Sequence, residues 1–218
     1  MFLSRLVLNP RNPAVRRDLG SPGELHRTVL RAFGQVDGPA RKEHGVLFRV
    51  DELQDGAVLY AYVQSRQEPD WTFLPQGYLA PAPWGEDNPG VKALEPRWQA
   101  LETGQRLRFR LLANATRRIS REGGGSTRVP LRRPEALSAW IARKAEQGGF
   151  VIAEQELAVD PRPAHKGRHS SGGSVTIEPT LFEGLLQVTD GEQFRHTLQV
   201  GIGPAKAYGC GLLSIART

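Results

Sequence analysis

Residues 105–113 read QRLRFRLLA, so that Leu107, Phe109 and Leu111 alternate with Arg106, Arg108 and Arg110. A period of two sends the apolar side chains to one face of a strand and the guanidinium groups to the other. Any fold that accepts this strand has to bury the first face and leave the arginines projecting together from the second. The signals that follow come in a fixed order. Residues 134–147 carry Leu137, Trp140 and Ile141 at helical spacing and stop at Gly148-Gly149. A strand is expected at 150–158, more strand over 175–188, a short helix at 192–198 and a last strand at 212–216. Between them, 160–174 holds Arg162, His165, Lys166, Arg168 and His169 with no apolar residue beyond Pro and Ala, which suits a basic loop or hairpin tip.

The first half looks like an abbreviated copy of that order. A β-prone run at 2–9 is broken into a loop by Asn9-Pro10 through Pro13. Ser21, Pro22 and Glu24 read as N-cap, first helical residue and capping box of a helix reaching Phe33. Leu25, Val29, Ala32 and Phe33 form its buried stripe, and Arg27 and Arg31 point elsewhere. Residues 46–50 and 57–64 flank Asp55-Gly56, a hairpin signal. The Pro-rich stretch 68–96 supports no long element and marks a junction. The order β-α-β-β-α-β describes a ferredoxin-like (RRM-like) domain, and the expected fold is α+β with two in tandem: 1–90, a linker at 91–103, and 104–218.

Charge narrows the partner. Between residues 104 and 133 nine arginines stand against one acid, Glu122, a net +8, so the rest of the chain sums to −2 of the total +6. A run nearly all of one sign repels itself, and a polyanion is its natural partner; the competing reading is a solvated charged face. Cys210 is the lone cysteine, which excludes an internal disulfide and a Cys-rich zinc site. No apolar run is long enough to span a bilayer, and the N-terminal residues do not suit a secretory leader, so a soluble cytoplasmic protein is expected.

Near the C-terminus stand Gly201, Gly203, Gly209 and Gly211, with Lys206 and Tyr208 between the pairs. Glycines let a backbone approach a phosphate, and they equally let a helix pack tightly on a sheet. The loop precedes a strand and matches neither a dinucleotide fingerprint nor a P-loop. This loop comes with LSRLVLNP at 3–10, Arg16-Arg17-Asp18-Leu19, Leu25-His26-Arg27-Thr28, Glu68-Pro69-Asp70-Trp71, GQRLRFR at 104–110 and Leu181-Phe182-Glu183-Gly184. In that order and spacing the whole chain resembles the CasE/Cse3 family of CRISPR RNA-processing endoribonucleases of type I-E systems.

The resemblance implies two ferredoxin-like domains and binding of the repeat hairpin of CRISPR precursor RNA. It further implies cleavage at the base of the stem without metal or cofactor, and retention of the mature guide RNA with other Cascade subunits. His26 is the implied catalytic histidine. Transfer of a phosphoryl group from a 5′-oxygen to a neighbouring 2′-hydroxyl needs a proton removed from the nucleophile or given to the leaving oxygen, and imidazole titrates in the right range. Near the start of a helix the dipole favours its neutral form. A lone histidine beside an apolar stripe also has a plain reading as a packed core residue.

Some family members carry a tyrosine three residues before the histidine, where this chain has Gly23. Tyr208 is either a substitute or a ring packed between loop and sheet. Arg27 and Lys206 are the candidates for steadying the pentacovalent phosphate. The candidate RNA contacts are Arg106, Arg108, Arg110, Arg117, Arg118, Arg128 and Arg132 on the arginine-rich segment, Arg162, Lys166 and Arg168 in the basic loop, and the four loop glycines. His165 and His169 are read as RNA contacts in preference to metal ligands, and residues 123–125 as a flexible connector. The alternatives are a non-catalytic RNA-hairpin-binding module and a structural subunit of a ribonucleoprotein.

Overall fold

The computed structural model describes residues 1–34, 44–53, 58–82, 85–120, 124–168 and 174–218. It divides into two compact units, Met1–Ala100 with Ala207–Gly209, and Leu101–Lys206 with Cys210–Thr218.

The first unit holds β1 (Phe2–Leu8), α1 (Pro13–Gly20), α2 (Pro22–Arg31), β2 (Leu47–Leu53), β3 (Val58–Ser65), β4 (Gly90–Ala93) and α3 (Glu95–Gln99). Its sheet runs β2-β3-β1-β4 with every pair antiparallel, the strand order of a ferredoxin-like domain. Leu6 and Leu8 of β1, Phe48 of β2 and Leu59, Ala61 and Val63 of β3 meet Val15 of α1 and Leu25 and Val29 of α2 in one buried core. The stripe expected on α2 is the stripe observed, and Arg27 and Arg31 are exposed.

Three expectations need correction here. Residues 13–20 form a helix, because Asn12 accepts a hydrogen bond from the Ala14 N–H at 2.8 Å and Pro13 supplies the first helical residue. Asn9-Pro10 is a turn; Asn12-Pro13 is a cap. Ser21 does stand at the start of α2 but makes no side-chain cap bond, and Glu24 pairs with Arg27 instead of reaching back. The stretch expected as a linker contains β4, which pairs with Phe2–Arg5 of β1, and α3, whose Trp98 is buried. Hydrogen bonding to the β1 edge holds β4 in the first unit, which ends at Ala100.

The second unit holds β5 (Arg106–Ala113), β6 (Thr116–Ser120), β7 (Ser126–Pro130), α4 (Pro134–Gln147), β8 (Phe150–Pro161), β9 (His165–Arg168), β10 (Ser174–Ile177), β11 (Thr180–Val188), α5 (Gly191–Val200) and β12 (Leu213–Arg217). The main sheet runs β12-β5-β11-β8, all antiparallel, which with α4 and α5 completes the ferredoxin-like order. Leu107, Phe109 and Leu111 are buried, as are Leu137, Trp140 and Ile141 of α4 and Phe194 and Leu198 of α5. The Trp140 ring stacks on Phe182 at 5.9 Å and Phe150 meets Phe194 edge-on at 5.4 Å. Offset and edge contacts of this kind add to area burial.

Two hairpins are inserted. β9 and β10 give the expected basic tip a regular base, and His169 lies outside the described residues. β6 and β7 form a second hairpin, with Gly124 and Gly125 leading into β7; residue 123 of the expected connector lies outside the described residues. Its strands are short and largely polar, and neither shows the apolar alternation that marks β5.

Candidate active site

His26 lies in the second turn of α2. Its imidazole is half-buried with Nε2 shielded from solvent, and it stacks on Phe48 of β2 at 6.1 Å and 19°. Phe48 is 2 % exposed, so the ring that backs the histidine is fixed in the core of the first unit. The same ring lies 3.4 Å from where a Cβ on Gly209 would stand. The segment Ala207–Gly209, which contains Tyr208, belongs to the first unit. Within the first unit Phe48 is thus a common neighbour of His26 and Gly209.

The other two candidate catalytic groups are placed differently. Arg27 is 70 % exposed and ion-paired with Glu24 one turn earlier. Lys206 donates from Nζ to the Val200 carbonyl oxygen at 2.6 Å, at the carboxyl end of α5, where a cation is favoured by the helix dipole. Its charge therefore already serves a helix end. The loop glycines also have structural duties. A Cβ on Gly211 would stand 2.9 Å from the Ile202 carbonyl oxygen at φ +93°, and one on Gly203 would press 3.2 Å into the Trp140 ring. Gly201 ends α5 at positive φ. Tight packing, the second of the two uses open to such a loop, is met at Gly203 and Gly211.

Register decides which arginines share a surface. Arg110 sits between Glu183 and Ser214, and Arg108 between Leu185 and Ala216, on the open face of the second sheet, where they line a depression of about 460 Å³. That face is less cationic than the sequence suggests. Arg106 bonds both oxygens of Glu156 at 3.0 Å, Arg110 reaches Glu183 at 2.7 Å, Arg132 makes a two-pronged pair with Glu178 at 2.7 Å, and Arg162 pairs with Asp160 at 2.9 Å. The Arg132 guanidinium hydrogen-bonds Glu178 and holds its carboxyl below the usual range. The acids were visible in the sequence, but the cross-strand register that sets Glu156 and Glu183 against arginines of β5 was not.

The concentrated positive charge lies on β6–β7. Arg118 stands directly across from Arg128, with Arg117 beside it opposite Val129. Like charges directly opposite destabilise a strand pair, which favours an arrangement with an anion between or above them. Both arginines line a depression of about 380 Å³ completed by Thr116, Trp140, Arg143, Lys144, Gly203 and Pro204. Among the described residues its lining holds four cations and no acid. Lys166 and Arg168 lie on β9, opposite Thr176 and Ser174 of β10.

A sequence profile of the CRISPR-associated protein family matches residues 1–217. The chain belongs to that family. It is 37% identical over 226 residues to the CRISPR-associated endoribonuclease Cse3 of Thermus thermophilus, covering 99% of this chain and 100% of the relative. It is 30% identical over 224 residues to the CRISPR system Cascade subunit CasE of Escherichia coli K12, covering 99% of each. Its fold matches a structure of the endoribonuclease Cse3 bound to a 19-nucleotide RNA with a TM-score of 0.82 and 36% identity, over 99% of this chain and 100% of that one. Family membership and the two ferredoxin-like domains stand on these matches together with the topology.

Within the family frame, sequence reasoning missed Phe48, Arg143 and Lys144. Phe48 reads as one more apolar residue of a strand. Arg143 and Lys144 follow the buried Trp140 and Ile141 at positions that only the helix register turns toward the hairpin, and their signal was a pair of basic residues on an otherwise ordinary amphipathic helix. No helix among the described residues is long and apolar enough to cross a membrane.

Proposed function

We propose that this chain is an endoribonuclease that binds the repeat hairpin of CRISPR precursor RNA, cuts it at the base of the stem, and remains with the guide RNA and its partner subunits in a Cascade assembly in the cytoplasm. The observation that carries the reading is full-length similarity to an RNA-bound endoribonuclease combined with a histidine braced on α2 beside the glycine-rich loop.

Cleavage proceeds by attack of the ribose 2′-oxygen on the adjacent phosphorus. The P–O5′ bond breaks, leaving a 2′,3′-cyclic phosphate and a 5′-hydroxyl. His26 acts as the proton-transfer group, taking the 2′-hydroxyl proton or supplying one to the departing 5′-oxygen. Its stacking on Phe48 fixes the ring plane, and the shielding of Nε2 keeps bulk water from competing for the proton. Arg27 is exposed at the next helix position; an RNA phosphate has only to displace the Glu24 carboxylate, a surface pair of small worth. Lys206 acts by holding the end of α5 and hence the start of the glycine-rich loop.

The stem is held mainly through its phosphates, because an A-form major groove is too narrow for a helix. Arg118, Arg128, Arg143 and Lys144 form a dense cationic surface for that task, and Arg117, one residue before Arg118 on β6, projects from the other face of the hairpin. The β9–β10 hairpin offers Lys166 and Arg168 on a thin element suited to the groove itself. Arg106, Arg108, Arg110, Arg132 and Arg162 contribute after exchange of their carboxylate partners where they have them.

The test is cleavage of the cognate repeat hairpin in EDTA, with an RNA bearing a single 2′-deoxy substitution at the scissile nucleotide as comparison. The reading expects cutting in EDTA and none of the deoxy substrate, with binding of both. Cutting that requires added metal, or cutting of the deoxy RNA, overturns the internal-attack mechanism.

A further inference from the structure

We propose that the buried carboxylate of Asp18 is a positioning residue for His26, fixing the rotation of α2 about its own axis through Thr28 and Tyr78. The inference rests on the role given to His26 above.

Asp18 is 0% exposed on α1. Its Oδ2 accepts the Thr28 hydroxyl at 2.7 Å and the Tyr78 hydroxyl at 2.8 Å, and its Oδ1 accepts Arg17 at 2.7 and 3.0 Å. Burying a charge is costly unless it is paired and hydrogen-bonded, and apolar replacements of such groups are often neutral for stability. A network of this kind is better explained by the geometry it imposes than by the stability it adds. Tyr78 is itself tied to β1, since its carbonyl oxygen accepts the Asn9 N–H at 2.9 Å and the next residue, Leu79, bridges to Leu8. The carboxylate therefore refers α2 to the sheet that carries Phe48.

The helix register explains why this matters for one side chain. At about 100° per residue, Leu25 and Val29 point into the core, with Thr28 on one edge of that stripe and His26 on the other, each about 80° from its centre. Apolar contact is non-directional and holds rotation weakly, whereas a hydrogen bond is directional. A rotation of about 10° moves a ring lying about 5–6 Å from the axis by about 1 Å. A displacement of that size at a reacting group can cost about a hundredfold in rate.

The experiment compares Thr28→Val, which keeps shape and removes the hydroxyl, with Thr28→Ser, which restores it. Single-turnover cleavage of the repeat hairpin is measured at saturating enzyme, alongside the Kd for the 2′-deoxy hairpin. Thr28→Val is expected to slow cleavage about 10- to 100-fold with the Kd within about threefold, and Thr28→Ser to recover most of the rate. A folded Thr28→Val that cuts at the wild-type rate overturns the proposal, as does equal loss in both variants. If Thr28→Val does not fold, Tyr78→Phe removes the other donor to the same oxygen, and the same split decides. His26→Ala cutting at the wild-type rate would sink the parent reading instead, whatever Thr28 does.

Discussion

Replacing Arg118 and Arg128 together by glutamine tests the cationic depression quantitatively. Each phosphate neutralised by a protein cation contributes about 0.7–0.9 to the slope of log K against log salt. If Arg118, Arg128, Arg143 and Lys144 each engage one phosphate, the depression supplies a slope of about 3, or about 60-fold in affinity between 50 and 200 mM salt. The double variant removes half of that, so its slope should be shallower by about 1.4–1.8, about tenfold over the same range. Fluorescence anisotropy of a labelled repeat hairpin across salt concentrations reads the slope directly. Folding should not suffer, because the two arginines face each other across β6–β7 and their removal relieves a like-charge pair. An unchanged slope in a variant that melts like wild type would mean that the depression does not meet the RNA backbone.

Three further outcomes follow from local structure. Gly23→Ala should raise Tm by about 1–4 °C, since a Cβ there meets only Ser21 Oγ at 3.9 Å and alanine is the better helix former by about 0.5–1 kcal/mol; a lower Tm would refute this. Gly211→Ala should lower stability by about 1–3 kcal/mol, read by urea unfolding, while the RNA salt slope stays as in wild type; the opposite pattern would assign this glycine to phosphate contact. Burial pushes the Cys210 thiol up to about 12, so native protein should resist a thiol reagent at pH 8 and react on unfolding. Because the folded thiol keeps its proton to higher pH than the unfolded one, its contribution to stability is intact below pH 9 and lost progressively toward pH 12. Prompt stoichiometric labelling at pH 8 would contradict that burial.

The elements legible in the sequence were those with strong periodicity. The alternation in β5, the stripe of α2 and the bounded helix at 134–147 all appear as read. What escaped was local chemistry with two meanings. Asn12-Pro13 serves as a cap while looking like a second turn signal, and β4 is held by backbone pairing to β1 that four residues of sequence do not announce. The candidate site shows the same division. His26 is proposed through family resemblance, whereas the ring it stacks on, Phe48, is an unremarked strand residue. The arginines were counted correctly, but pairing across β5, β8 and β11 neutralises several of them, and the register that does so is a long-range property. Arg143 and Lys144 join the surface only because α4 turns them toward a hairpin whose strands lack an apolar pattern.

The proposed chemistry turns on proton transfer by His26. It is tested by single-turnover cleavage of the cognate hairpin by His26→Ala, at enzyme concentrations shown by binding to saturate the RNA. The account predicts that binding survives and cutting falls by about 10²-fold or more, the usual worth of a positioned acid or base. Undiminished cleavage by a folded, RNA-saturated His26→Ala would contradict it.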